Sequence, residues 1–390
     1  MRRREDRALW KLFRWPTNRP KDAKPWRLYP EDRRGADWRL GDPFEPRPEG
    51  PSQWPQPGGN YRSKHHVERG LEQRAVDALS DGISVTLYGV EKFGKSWLLR
   101  HVIEQIPDAC WIEPRLTDCP PAARADFDAY LKSLAHQLCE ALEVRCQDSI
   151  SPHLQPSISI DEIWRGPGGP QGKLERVLGL YGDATVRDMI LACDDMDAIL
   201  PEENGEGALE KSVATDFMRL VQGWVQTPQM PRFLFTVSTT ADRLTRILAN
   251  SSPFTRTTPL TLGDLGADGL RTLAAKYGLD ISTQEVEHLE GWIGGHPYLG
   301  GIAFDHVRRN SQVSLMDIEL DWFDHHIDRL RQHLRDQKEL REVLKRVCVG
   351  NPRLDDEYLV DDLRKAGLIK GKQGSLKARN KLYQYVWGRQ

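Results

Sequence analysis

Gly89-Val90-Glu91-Lys92-Phe93-Gly94-Lys95-Ser96 follows a β-rich run at 83–88 (ISVTLY) and opens a helical stretch at about 95–105. The octet fits GxxxxGK[ST] at every fixed position, in the strand, loop and helix setting that the pattern needs. Its glycines let the backbone turn so that successive N–H groups point inward, toward the oxygens of an anion. The helix starting at Lys95 adds its positive end to the same anion. Lys95 is placed to reach the β- and γ-phosphates of a nucleotide, and Ser96 to ligate Mg2+. All eight residues, with Trp97 next in line, are expected nucleotide contacts. The alternative is a glycine turn that binds nothing, and the correct flanks on both sides argue against it.

A phosphate loop needs an acidic element to hold the metal. Met189-Ile190-Leu191-Ala192-Cys193-Asp194-Asp195 is an apolar strand ending in two carboxylates. Asp194 at the strand tip suits the Mg2+ shell through water. Asp195 then takes the place of the acid that polarises the attacking water. It is one methylene shorter than Glu, and about an ångström matters when a water must be oriented, so slow hydrolysis is expected. A capped helix start is the plain alternative for the Asp pair. The next strand, at 233–238 (FLFTVS), runs into Thr239, and Ser238 or Thr239 is the expected γ-phosphate sensor. Arg243, Arg246 and Arg256 come next as candidates to neutralise phosphate.

Outward from this centre, helical patterns at 67–79, 127–142, 174–180 and 214–225 alternate with strands at 83–88, 109–113, 189–193 and 233–238. That alternation predicts an α/β fold with a parallel sheet and crossover helices. Residues 147–173 read as loop, most flexible at GPGGPQG (166–172). After about 262 the strands stop, and helices are expected at 270–277, 284–293 and 296–308. From about 317 the pattern is helix, helix, then short strands, with 358–366 helical up to Gly367 and a two-stranded wing around GKQG, an order that resembles a winged helix. The expected divisions are 1–57 (arm), 58–262 (P-loop α/β unit), 263–316 (helical lid) and 317–390 (winged helix).

The arm is compositionally distinct. Residues 1–60 hold ten of the 25 prolines and five of the 12 tryptophans, with Lys and Arg exceeding Asp and Glu by 14 to 9. Dense proline prevents regular helix, so an extended segment is expected. Tryptophans spaced along such a chain can each fill a pocket, either on the protein's own body or on a partner protein. The whole chain carries a net charge of only -2 over 390 residues, which excludes a globally basic nucleic-acid binder but not a local basic patch. No run approaches the ~20 apolar residues of a membrane span, and no apolar core comes after the charged start. Six cysteines without a CxxC pair fit reduced thiols, so a cytoplasmic location is expected and a membrane role is not.

Several segments occur in a telling order: GGNYRSKHHVER (58–69), the phosphate loop, CDDMDAI (193–199), SSPF (251–254) and GGHPYL (294–299). Together they resemble the bacterial AAA-like ATPase domain of the STAND group, over about residues 58–310. The resemblance implies that Val67, Glu68 and Arg69 lie beside adenine and ribose. It also implies that Gly295, His296 and Pro297 close over the nucleotide from the lid, although His296 could be a plain helix cap. Asp195 stands where the family usually has Glu, and Thr255 where it usually has Asn.

Such proteins are switches: ATP holds the parts in one arrangement and ADP in another. The resemblance therefore implies a slowly hydrolysing ATPase that regulates a partner protein through the arm or the winged helix, in a bacterial conflict or antiphage setting. A homo-oligomer is a further expectation. The competing reading is a DNA-acting AAA+ ATPase of initiator or transposition-regulator type, with Arg364, Lys365, Lys370, Lys372, Lys377, Arg379 and Lys381 as a basic cluster. Against it, Asp355, Asp356, Glu357, Asp361 and Asp362 lie on or beside the would-be recognition helix. A third reading is a nucleotide-stabilised scaffold without turnover.

Overall fold

Strands β1 (Val85–Tyr88), β3 (Met189–Cys193) and β4 (Arg232–Val237) are apolar almost throughout and buried along nearly their whole length. Such strands need cover on both faces, which parallel sheets with crossover helices provide. The computed structural model describes residues 55, 57, 62–106, 110–114, 116, 118–146, 159–179, 189–199, 209–228, 230–238, 252–310, 312–335, 337–350, 357–371 and 375–388. The arm up to residue 54, Thr239, Arg243, Arg246, Asp355, Asp356 and Lys372 lie outside the described residues.

The sheet is parallel, in the order β2-β3-β4-β1-β5, with β2 at Cys110–Ile112 and β5 at Thr258–Thr261. Its two faces arise from the alternation of side chains along each strand. Leu191, Cys193, Phe233 and Phe235 meet helices α3 (Phe127–Cys146), α5 (Pro170–Gly179) and α6 (Lys211–Val225), through Leu131, Leu174, Phe217 and Trp224. Ile190, Ala192, Leu234 and Leu87 meet α1 (Glu72–Ser80) and α2 (Lys95–Glu104), through Leu79, Leu98, Leu99 and Val102. Each fully buried Leu contributes roughly 2 kcal/mol.

Strand β5 was not expected from the sequence. It is an edge strand, half exposed, with Pro259 in its middle. Proline lacks the ladder donor, so the pattern reads as non-strand, and only an edge tolerates it. The helix expected at 67–79 begins at Glu72, because Gly70 turns left-handed (φ 68°) and Glu72 receives the N–H groups of Arg69 and Leu71. The segment expected as loop at 147–173 contains α4 (Ile160–Arg165) and the start of α5. Ser159 caps α4 by accepting from the Glu162 N–H, and Pro170 opens α5, so part of GPGGPQG is a helix start.

Beyond β5 come α7 (Ala267–Lys276), α8 (Thr283–Ile293), α9 (Pro297–Arg309), α10 (Asp324–His333), α11 (Lys338–Cys348) and α12 (Glu357–Lys365). An antiparallel pair, β6 (Ile369–Lys370) with β7 (Lys377–Ala378), lies where the short strands were expected. Helix α13 (Lys381–Gly388), unanticipated, closes the described chain. One core runs through these elements, from Leu265 and Leu289 to Leu344, Leu363 and Trp387, and it includes Val67. Among the described residues no helix is long and apolar enough to cross a membrane.

Candidate functional site

The phosphate-loop sequence leaves β1 at Gly89, whose N–H donates to Val237 O of β4 at 3.1 Å. The backbone then passes through two left-handed residues, Lys92 (φ 61°) and Gly94 (φ 87°), and Gly94 caps α2. Glycine takes that conformation freely, whereas a lysine there costs about 1–2 kcal/mol. The Lys92 ammonium lies 4.3 Å from the centre of the Tyr298 ring, a contact that offsets part of this cost. Lys95 is buried, and its Nζ donates to Val90 O at 3.1 Å, across the loop. Ser96 and Trp97 come next in the first turn of α2, both half-buried.

Every residue from Val90 to Phe93 meets a segment remote in sequence. A Cβ on Gly367 would sit 3.2 Å from Val90 Cγ2. The Glu91 N–H donates to Lys365 O at 3.1 Å, at the end of α12. Lys92 meets Tyr298 of α9. Phe93 is fully buried, with the His296 ring at 4.5 Å edge-on and the Arg379 guanidinium 4.4 Å from its ring centre. The Phe93 carbonyl accepts from Arg69 Nη2 at 3.0 Å, while Arg69 Nη1 donates to Gly263 O at 3.0 Å.

Of the three residues leading in, Val67 is buried in the helical core, Glu68 is exposed, and Arg69 ties the loop to Gly263, just past β5. Glu72 fixes this turn. Burial works against its charge, but His66 and the N–H of Arg69 bond the carboxylate, and its pKa is held at about 2. The His66 ring stacks on His101 of α2 at 3.8 Å.

The Gly294-Gly295 pair lets the turn before α9 pack closely. Gly294 (φ 63°) faces Arg379 O, which a Cβ would meet at 3.2 Å, and Gly295 (φ 78°) faces Leu265 O, which a Cβ would meet at 2.2 Å. Only glycine fits the second position. Pro297 starts α9, and His296 precedes it without making a side-chain cap bond. Burial, then the charges of His326, Arg379, Lys92 and Arg69, push the His296 imidazole well below its ordinary pKa.

Across the sheet, Asp194 and Asp195 stand at the tip of β3. The Thr236 hydroxyl of β4 donates to Asp194 Oδ1 at 2.5 Å and accepts from the Asp195 N–H at 2.8 Å. Asp195 is exposed and left-handed (φ 54°), an uncommon conformation for a non-glycine residue. Because β4 lies between β3 and β1, the acidic tip is two strand spacings, roughly 10 Å, from β1. Ser238 is buried just past β4, beside the start of the loop. Arg256 is exposed. Sequence reasoning missed Thr236, although a hydroxyl inside the apolar run FLFTVS is a visible signal. It also missed Glu72, Tyr298 and the inward role of Arg379, which no local pattern marks.

The sequence profile of the AAA-like domain family matches residues 55–388. The chain belongs to this family. The structure of a Walker-type ATPase of Pyrococcus abyssi is similar to the AAA-like chain, with TM-score 0.58, 17% identity, and 85% of this chain and 98% of that one covered. At that identity the likeness bears on fold alone. A STAND protein with a tetratricopeptide repeat sensor from Pyrococcus horikoshii is similar at TM-score 0.39 and 14% identity, covering 88% of this chain and 44% of that one. The ORC2 protein of Aeropyrum pernix, solved with ADPNP and ADP, is similar at TM-score 0.46 and 12% identity, over 85% and 97%. Likenesses as distant as these two bear on neither activity nor partner. No curated protein sequence matches this AAA-like chain.

Proposed function

We propose that the chain is an ATP-binding, slowly hydrolysing nucleotide switch that acts on a partner protein. The carrying observation is that four consecutive loop residues, Val90 to Phe93, touch α9, the end of α12 and the segment before α13. A change in the loop on binding phosphate has a direct mechanical route to those elements. The residues present suit the ligand. Lys95 holds a loop carbonyl that it can exchange for a phosphate oxygen, the α2 N-terminus favours an anion, and Asp194 is held at a strand tip by Thr236. Ser96 and Asp194 would hold Mg2+, which neutralises phosphate charge. Asp195 is assigned to orient the attacking water and Ser238 to sense the γ-phosphate. Residues 263–316 act in this reading as lid, and 317–390 as a winged helix facing protein.

The switch reading is tested by calorimetric titration of the full chain with ADP and ATP in Mg2+. Lys95→Ala should weaken binding by a hundredfold or more, about 3 kcal/mol. Unchanged binding would sink the phosphate-loop assignment. Measuring hydrolysis alongside binding separates the switch from a scaffold without turnover.

A DNA-acting AAA+ ATPase is a second reading, favoured by the exposed Lys377 on the β6–β7 ribbon. Much of the basic cluster, however, is engaged inward. Arg364 bonds Asp361 and Gly371 O, Arg379 bonds Asp264 and covers Phe93, and Lys381 covers Trp292. Retardation of duplex DNA by the full chain, weakening steeply with salt, would support this reading.

A further inference from the structure

Two imidazoles lie behind the phosphate loop with a ring nitrogen unused. His296 and His326 are 2% and 3% exposed, and the Nδ1 of each is buried without a hydrogen-bond partner among the described residues. The Tyr298 ring stands beside both, at 6.5 Å from His296 and 5.3 Å from His326. His326 Nε2 shares a hydrogen bond of 2.9 Å with the Tyr383 hydroxyl, joining α10 to α13. Among the described residues, the charges that bear most on this pair are cationic. The loop contributes Lys92 and Phe93, the lead-in segment Arg69, the segment before α13 Arg379, α9 Tyr298, and α10 Arg329 and His325. Asp264, the carboxylate beside Arg379, is taken by Arg379 at 3.1 Å and Lys370 at 3.8 Å.

Such surroundings keep both imidazoles neutral while no anion is present. For His326, burial first and then Lys92, Arg329 and His325 bring the pKa down to about 3. A nucleotide on the loop, even with Mg2+ bound, brings a net negative charge next to Lys92 and Arg69, and so offsets part of the local positive field. We propose that His326 takes up a proton when nucleotide binds, so that the His326–Tyr383 bond reports the charge on the phosphate loop to the C-terminal helices. The proton comes from solvent and settles on the imidazole. A neutral ring can accept the Tyr383 O–H through Nε2, whereas the charged ring can only donate, and the hydroxyl must then accept. The bond between α10 and α13 thereby changes polarity with nucleotide occupancy. This proposal rests on the nucleotide reading above and adds the group through which that site is sensed.

Linkage sets the sign of the effect. A group with a low pKa in the free protein and a higher one in the complex makes binding tighter as pH falls between the two values. Affinity for ADP should therefore rise as pH falls below the value that His326 reaches in the complex, by at most about tenfold per pH unit. The test titrates the full chain with ADP and Mg2+ at pH 5.5 and pH 8, in paired buffers of different ionisation enthalpy. At pH 5.5 the wild type should take up more protons per nucleotide than His326→Gln, by up to about one, and at pH 8 the two should agree. The comparison with His326→Gln removes the ionisation of the nucleotide's own phosphates. Equal uptake by the two proteins at pH 5.5 overturns the proposal. Binding too weak to detect at both pH values overturns the nucleotide reading and this proposal with it. Should the variant not fold, nitrogen NMR of histidine-labelled wild type decides. ADP at pH 5.5 should convert one neutral imidazole to the doubly protonated form, and its failure to do so refutes the proposal.

Discussion

The two functional ends of the sheet are held in opposite ways. The loop after β1 is gripped from outside by Arg69, His296, Gly367, Lys365 and Arg379, contributed by four stretches of chain. The acidic tip of β3 is bonded by Thr236 of the adjacent strand. The first arrangement ties a small loop to many distant elements and suits the transmission of a change. The second fixes two carboxylates against a rigid strand and suits chemistry at a constant position. In this fold the contacts of the loop are spread over distant segments, while the acidic residues are held from the adjacent strand.

Single substitutions probe this contrast at definite points. Gly295→Ala should have the largest effect. Its Cβ would meet Leu265 O at 2.2 Å, at a left-handed residue, and the loss should be about 3 kcal/mol or more, read as a fall in melting temperature. A small change there would show that the turn before α9 is packed less tightly than the contacts imply. Glu72 gives a pH test on the same side. Its folded pKa of about 2 lies below the ordinary Glu value, so its contribution is complete above about pH 5 and is lost as pH falls through 2. That contribution is about 3 kcal/mol, and Glu72→Gln should flatten this part of a stability–pH curve.

On the acidic side, Thr236→Val should cost about 1–2 kcal/mol and lower hydrolysis on the order of tenfold, with nucleotide affinity nearly unchanged. Asp195→Asn should likewise lower turnover and spare binding. A matching loss of affinity in either variant would erase the distinction between the two ends. Gly70→Ala should be mildest. Gly70 is left-handed (φ 68°), but a Cβ there would meet nothing within 4 Å, leaving strain of about 1 kcal/mol.

The sheet was legible because its chemistry repeats locally. MILAC (189–193) and FLFTV (233–237) are apolar almost without interruption, as parallel strands buried on both faces require, and both emerge as strands. Strand β5 was not legible because TPLT is half polar and holds a proline, and its pairing with β1 joins segments far apart in the chain, as the Thr86–Thr257 hydroxyl contact beside it, at 2.6 Å across 171 positions, illustrates. The loop 89–96 was legible because its glycines and lysine serve one local conformation. The grip on it was not, since Lys365 acts through a main-chain carbonyl and Gly367 through the absence of a side chain.

Arg379 marks the boundary between these two kinds of information. In sequence it belongs to a basic cluster and reads as a surface charge. In the structure its guanidinium lies over Phe93 and bonds Asp264, so its positive charge is used within the protein. Local sequence was sufficient for the strand, loop and helix around Lys95, the apolar strands and the helical second half, because each depends on periodicity and turn chemistry within about a dozen residues. The strand order, the insertion of β4 between loop and acidic tip, and the meeting of residues 69, 93, 296 and 379 were settled at the tertiary level. These arise from packing between segments far apart in the chain, where no local pattern records which surfaces will be complementary.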